Sequence, residues 1–328
     1  MTREPHLPAD IDQPGGGDHP DTGGDIAPRS GGATLAHWLE GARPRTWPNA
    51  FAPVLVGSAA AGLAGGFVWW MGLLALVVSW SFIIGVNYAN DYSDGIRGTD
   101  DDRVGPLRLV GSGLAAPATV KRVAFFFLGL GGAAGLVLSA LSAPWLILVG
   151  MVCILAAWFY TGGKTPYGYR GLGEVAVFVF FGLVAVLGTQ FTQLQSSGVG
   201  TITWYGVVAA IAVGSFSCAV NLTNNLRDIP SDTEAGKITL AVRLGDSNTR
   251  GLHAVLELLV PLVATLALIP ATPLALLGLL AMPVAWKANG PVRARATGAD
   301  LIPALGKAGM AMLAWSVLVS CGFFIAAL

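Results

Sequence analysis

The chain has 328 residues, of which 54% are hydrophobic and only 12% charged, whereas soluble domains carry about a quarter charged residues. Its 19 basic and 19 acidic side chains cancel at neutral pH and leave no basic footprint for nucleic acid, so the composition excludes both a soluble domain and a nucleic-acid binder. What remains is an all-α polytopic protein of the lipid bilayer, in which 44 glycines suit close helix packing and Cys153, Cys218 and Cys321, inside apolar runs, read as reduced packing residues.

Residues 1–33 are rich in Pro, Gly and acids and lack large apolar side chains, which predicts a disordered tail. No apolar core follows the basic start, so the tail does not read as a signal peptide. From His37 the sequence carries Trp38, Glu40, Arg43, Arg45 and Trp47, an interfacial segment whose tryptophans suit the headgroup level. The membrane domain is expected over 34–328. Nine apolar spans are predicted there, centred near residues 56, 78, 130, 152, 182, 212, 261, 280 and 316, around a central cavity. All 19 Lys and Arg fall in the N-terminal segment and in the connections after spans two, four, six and eight, while the connections near 65, 142, 197 and 271 have none. The positive-inside rule therefore places the N-terminus in the cytoplasm and the C-terminus outside.

Two cytoplasmic loops, 93–118 and 226–250, carry the chemistry. Span two ends in Asn90, Asp91, Asp94, Arg97, Asp100, Asp101, Asp102 and Arg103. Asn90 and Asp94 are four residues apart and Asp91 and Asp94 three apart, so on a continuing helix they share a face. Span six ends in Asn224, Arg227, Asp228, Asp232 and Lys237, with Asn224, Asp228 and Asp232 expected to stack at four-residue steps. Carboxylate and amide oxygens suit Mg2+, which also takes phosphate oxygens. Arg97, Arg103, Lys164, Arg227 and Lys237 would neutralise the outer oxygens of a bound diphosphate. For Lys164 the alternative is a purely topological charge. The shared spacing of the two clusters hints at an internal duplication that would bring them face to face.

Glu174 enters span five about one turn deep, where an ionisable group faces the interior, either as a functional contact or as a structural hydrogen bond. For His253 and Glu257 in span seven the same two alternatives stand, the structural one favoured, and Gln190 and Gln193 read as helix–helix hydrogen bonds. A transporter would place its polar residues near the midplane, whereas these lie at helix ends. A CDP-alcohol phosphotransferase motif starts at Asp91, Asp94 and Gly95 and then fails.

The runs Asn90 to Asp94, Tyr169 to Glu174 and Asn225 to Gly245 resemble the UbiA-type superfamily of intramembrane aromatic prenyltransferases, in its branch acting on 1,4-dihydroxy-2-naphthoate. The likeness spans about residues 35 to 328. It implies nine helices and Mg2+-dependent transfer of a polyprenyl chain from polyprenyl diphosphate to the naphthoate, with decarboxylation to demethylmenaquinone, in a bacterial cell membrane. By the same likeness Asn90, Asp94, Asn224, Asp228 and Asp232 are the metal residues, with Asp94, Asp228 and Asp232 catalytic, and Asp91, on the same helical turn as Asn90 and Asp94, is expected to join the metal set. Arg43 and Glu174 would contact the acceptor, Arg43 through its carboxylate. The superfamily's first motif has a third acid where this chain has Gly98, so Asp91, Asp100 or Asp101 would supply that oxygen.

Overall fold

The computed structural model describes residues 32–98 and 106–328, and Asp100, Asp101, Asp102 and Arg103 lie outside them. All regular structure among the described residues is helical. Thr34 caps the first helix, α1 (Leu35–Gly41), by accepting from His37 N while His37 Nδ1 accepts from Thr34 N. Then come α2 (Pro48–Leu63), α3 (Trp69–Gly95), α4 (Pro117–Leu141) and α5 (Leu146–Phe159). Next are α6 (Gly173–Ser197), α7 (Trp204–Arg227), the short α8 (Ile229–Glu234) and α9 (Leu240–Ala267). Last are α10 (Pro273–Ala288) and α11 (Gly298–Ala326). Proline opens α2 and α4, where a missing N–H costs no helical hydrogen bond. Thr203 and Thr239 cap α7 and α9 by accepting from Gly206 N and Val242 N.

Six helices among the described residues (α3, α4, α6, α7, α9 and α11) are long and apolar enough to cross a membrane, and α2, α5 and α10 are shorter apolar helices. Helix α7 is the hub: 78% of its apolar window is buried, against 28% for α4 and α6, whose outer faces are left to lipid. It packs on α2, α6, α9 and α11. A solid core of Phe216, Met312, Trp315, Val319 and Phe323 fills the α7–α11 side.

Several buried polar groups in this half bond one another across helices, as a lipid environment favours, while Glu257 Oε1 and Asn289 Oδ1 are buried without a partner. Asn289 Nδ2 donates to His253 Nδ1 (2.8 Å) and Glu257 Oε2 (2.9 Å); His253 Nε2 is left to donate to Thr223 Oγ1 (2.8 Å), which donates to Ala219 O (2.9 Å). Gln193 joins Ser58 Oγ to Val68 N, and Gln190 joins Thr203 to α6. These four residues are structural, as their position within spans predicts.

The other side is open. Between α2, α3, α4, α5, α6 and α7 lies a cavity of about 740 Å3. Helices α6 and α7 close its back wall because glycines meet there: a Cβ built on Gly182 would stand 2.6 Å from Gly214 Cα. Gly182→Val is expected to push the helices apart and destabilise the protein by about 1–3 kcal/mol. The check is the melting temperature in detergent, which should fall; an unchanged value would mean that this contact is not fixed.

Candidate active site

Helix α3 continues unbroken through Gly95, so Asn90, Asp91 and Asp94 are all helical. The second cluster departs from the expected single stack. Helix α7 ends at Arg227, Asp228 is the junction, and α8 restarts with Pro230 near its first position. Proline cannot donate within a helix interior and forces this break, so Asp228 and Asp232 belong to two helices rather than one. Backbone bonds still chain the turns, from Asp228 N to Asn224 O (3.0 Å) and from Asp232 N to Asp228 O (2.8 Å).

Each of the three central acids lies beside a cation. Arg108 Nη2 stands 3.3 Å from Asp94 Oδ2, and Lys237 Nζ 3.2 Å from Asp232 Oδ1. Arg227 grips its neighbour Asp228 in a fork, Nε to Oδ1 at 2.6 Å and Nη2 to Oδ2 at 2.7 Å. All three carboxylates are buried, at 7%, 6% and 7% exposure for Asp94, Asp228 and Asp232, and charges that deep need such partners.

Tyr169 links the two clusters. Its hydroxyl donates to Asp94 Oδ1 (2.6 Å), and its ring centroid is 5.6 Å from the Arg97 guanidinium and 5.2 Å from the Lys237 ammonium. Its carbonyl accepts from Ile238 N (3.0 Å). Neighbouring Tyr167 donates to Ala156 O (2.8 Å), and burial pushes its phenol up to about 12, which keeps it a donor at neutral pH.

Three expected ligands also make structural contacts. Asp91 is 1% exposed and accepts from Leu109 N (2.8 Å) through Oδ2 and Val110 N (3.0 Å) through Oδ1, so it anchors the returning loop. Arg97 turns to carbonyls, donating to Ser93 O (3.3 Å), Thr161 O and Gly163 O, so it clasps the loop after α5. Glu174 does not line the cavity; its Oε1 accepts from Asn221 (3.1 Å) and Asn225 (2.6 Å). Lys164 is exposed in the clasped loop.

The cavity ties these groups together. Over most of its depth it is walled by apolar side chains such as Phe82, Val86, Met151, Ile154, Phe180 and Phe181. Its polar lining includes Arg43, Asn49, Asn87, Asn90, Tyr160, Tyr167, Asn221 and Asn224. Arg43, Thr46 and Asn224 also line a small neighbouring pocket with Arg45 and Arg108. Fold and site thus define a helical membrane protein whose apolar cavity runs up to two acid-bearing helix ends.

The UbiA prenyltransferase family model matches residues 50–300, and the chain belongs to that family. It is 58% identical over 288 residues to the 1,4-dihydroxy-2-naphthoate octaprenyltransferase of Mycobacterium tuberculosis, covering 88% of this chain and 97% of that one. It is 42% identical to the Escherichia coli protein of the same name, over 67% of this chain and 72% of that relative. Among solved structures, a UbiA homolog from Aeropyrum pernix K1 superposes with a TM-score of 0.61 at 14% identity, over 85% of this chain and 98% of that one. A UbiA homolog from Archaeoglobus fulgidus bound to DMAPP and Mg2+ gives 0.55 at 15%, over 86% of this chain and 99% of that one; at these identities both show the shared fold.

Asp91→Asn is expected to set an amide N–H against one of the loop amides, costing about 1–3 kcal/mol of stability. The melting temperature should fall while the Mg2+ concentration for half-maximal turnover stays within about threefold, because both Asp91 oxygens already accept from loop amides. A tenfold rise in that concentration would keep Asp91 in the ligand set.

Proposed function

We propose that this protein transfers a polyprenyl chain from polyprenyl diphosphate to 1,4-dihydroxy-2-naphthoate, with loss of carbon dioxide, in a Mg2+-dependent reaction at the cytoplasmic side of a bacterial cell membrane. The observation that carries the reading is the 740 Å3 cavity, apolar along its length and polar where it reaches Asn90 and Asn224, one on each acid-bearing helix. An isoprenoid diphosphate has that same division, an oily tail and an anionic head. The names of the relatives from Mycobacterium tuberculosis and Escherichia coli support the choice of acceptor.

The donor set fits the metal. No three His, Cys, Asp or Glu side chains converge into a cage among the described residues; Asp94 with Asn90 forms one wall, and Asp228 and Asp232 with Asn224 the other. Mg2+ is characteristically held by one or two carboxylates, with waters and phosphate oxygens completing its shell. Bound there, it would neutralise charge building on the departing diphosphate.

The chain's own residues supply the rest. Arg227 and Lys237, with Arg108 beside Asp94, stand where they can meet the outer phosphate oxygens, and Lys164 and Arg103 are assigned the same task from their loops. Positive groups fixed in advance around a leaving anion lower the barrier without reorganisation. As the carbon–oxygen bond breaks, its electron pair leaves with the diphosphate and the allylic cation stays among the apolar side chains, which exclude water. The electron-rich naphthoate ring attacks, forming the new carbon–carbon bond; the bond between ring and carboxylate then breaks, its electron pair returns to the ring, and carbon dioxide leaves. Arg43, at the edge of both the cavity and the small basic pocket, is assigned to the acceptor carboxylate.

In the membrane, α2, α5 and α10 are taken to cross together with the six longer helices, giving nine spans with the N-terminus cytoplasmic and the C-terminus outside. The charge distribution supports this, since all 19 Lys and Arg lie on alternate connections.

Purified protein supplied with geranylgeranyl diphosphate, Mg2+ and a panel of aromatic acceptors is expected to prenylate 1,4-dihydroxy-2-naphthoate in preference to 4-hydroxybenzoate. Chelating Mg2+ should stop turnover and re-addition restore it. Turnover with 4-hydroxybenzoate alone would overturn the acceptor assignment. Asp94→Ala, Asp228→Ala and Asp232→Ala should each lower kcat by at least about a hundredfold, the scale of losing a main transition-state charge stabiliser, measured on the folded fraction because each removes the carboxylate beside a buried or half-buried cation. Any of the three that keeps a near-normal rate leaves the ligand set. Reporter fusions at 65, 142, 197 and 271 should read external and those at 167, 235 and 293 cytoplasmic; one cytoplasmic signal in the first group breaks the nine-span arrangement.

A further inference from the structure

Glu174, like Asp91, is a buried acid of the cavity half that makes no ion pair among the described residues. Glu174 is 5% exposed, at the first turn of α6. Its only side-chain partners are two amides one turn apart on α7: Asn221 Nδ2 at 3.1 Å and Asn225 Nδ2 at 2.6 Å, both on Oε1. Oε2 is buried with no partner. An ionisable group placed this way in a membrane helix is costly and calls for a reason.

The reason lies on the far side of Asn221. An amide has a donor end and an acceptor end, and a carboxyl oxygen that takes its NH2 fixes which way it points. With Nδ2 drawn to Glu174, Asn221 Oδ1 turns the other way, where the Tyr160 hydroxyl reaches it at 3.5 Å. Asn221 and Tyr160 line the cavity, and Glu174 does not. Gly173 makes room for this arrangement, since a Cβ there would stand 2.9 Å from Tyr160 Oη and 3.2 Å from Asn221 Nδ2. The cluster is also short of hydrogens: Oε2 has none, and the single phenol proton of Tyr160 serves both its own oxygen and Asn221 Oδ1.

We propose that Glu174 is a positioning residue that locks Asn221 so that its amide oxygen, with the Tyr160 oxygen, forms an acceptor wall in the cavity for the hydroxyl hydrogens of the aromatic substrate. This rests on the prenyl-acceptor reading above and deepens it: the wall selects rings bearing free hydroxyls and is indifferent to the diphosphate. A site built to accept a hydrogen rejects the analogue lacking it, because its oxygens are left unpaired.

The test uses the full-length protein in detergent and titrates two probes, 1,4-dihydroxy-2-naphthoate and its 1,4-dimethoxy analogue. The native protein is expected to bind the dihydroxy compound at least about tenfold more tightly. Glu174→Met keeps the bulk and frees both amides, and should bring the preference within about threefold while geranylgeranyl diphosphate binding stays within about twofold. Glu174→Gln retains one carbonyl oxygen for both asparagines and should restore most of the preference. If Glu174→Met does not fold, Asn221→Ala decides alone, with the same loss expected. A preference that survives in the variant measured, or a loss shared equally by the diphosphate, overturns the proposal. Failure of the native protein to turn over the naphthoate at all would instead strike the functional reading, so the two failures are distinguishable.

Discussion

The phenol of Tyr169 is the joint on which the site depends. Its hydroxyl holds Asp94 on α3, its carbonyl holds Ile238 beyond α8, and its ring is met by two cations, one from each cluster. Two acidic helix ends 138 residues apart in sequence, from Asp94 to Asp232, would repel if nothing stood between them. A ring with a hydrogen-bonding tip suits the place: its faces accept the ammonium and guanidinium, and its edge carries the donor that a carboxylate wants. The loop that carries Tyr169 is set in turn by Arg97, which gathers the carbonyls of Thr161 and Gly163, and by Asn90, which accepts from Thr161 Oγ1 at 2.8 Å.

Much of this was legible in the sequence because lipid enforces simple rules. An apolar run that stops at charges marks a helix end, and α3 and α7 do end within the polar runs that begin at Asn90 and Asn224. What spacing cannot reveal is which way a loop returns. Asp91 sits one position from Asn90 and shares its acidity with Asp94, yet the 109–110 segment folds over it and takes both of its oxygens. Pro230 was visible in the sequence and its consequence, a break at Asp228, follows from proline chemistry; the regular spacing of Asn224, Asp228 and Asp232 concealed it. Tyr169 and Arg108 carried a weaker signal, an aromatic and a basic residue inside glycine-rich cytoplasmic loops. Their partners are 75 and 14 residues away, beyond the reach of any local pattern.

The division of the fold explains how a membrane protein can hold a cavity of this size without collapsing. Around α7, the α9–α11 side is packed solid, with Trp315 donating to Thr265 Oγ1 (2.8 Å) and the His253, Asn289 and Glu257 network bonding helix to helix. That side holds α7 rigid, so the opposite face of the same helix can present Asn221 and Asn224 to open space. The apolar wall then needs no hydrogen bonding of its own, and a prenyl chain replaces lipid-like contacts with others of the same kind.

The buried acids of this half sort by what neutralises them. Asp94, Asp228 and Asp232 lie beside cations, and such groups can exchange partners when a metal and a diphosphate bring charges of both signs together, because the total is conserved. Asp91 takes two backbone amides and Glu174 two side-chain amides, which are dipoles fixed by the 109–110 segment and by α7. Acids neutralised by mobile charges are therefore suited to binding ions, and acids neutralised by fixed dipoles to holding shape. On that criterion Glu174 belongs with Asp91 by its partners, and what distinguishes it is position: the shape it holds is the wall of the cavity.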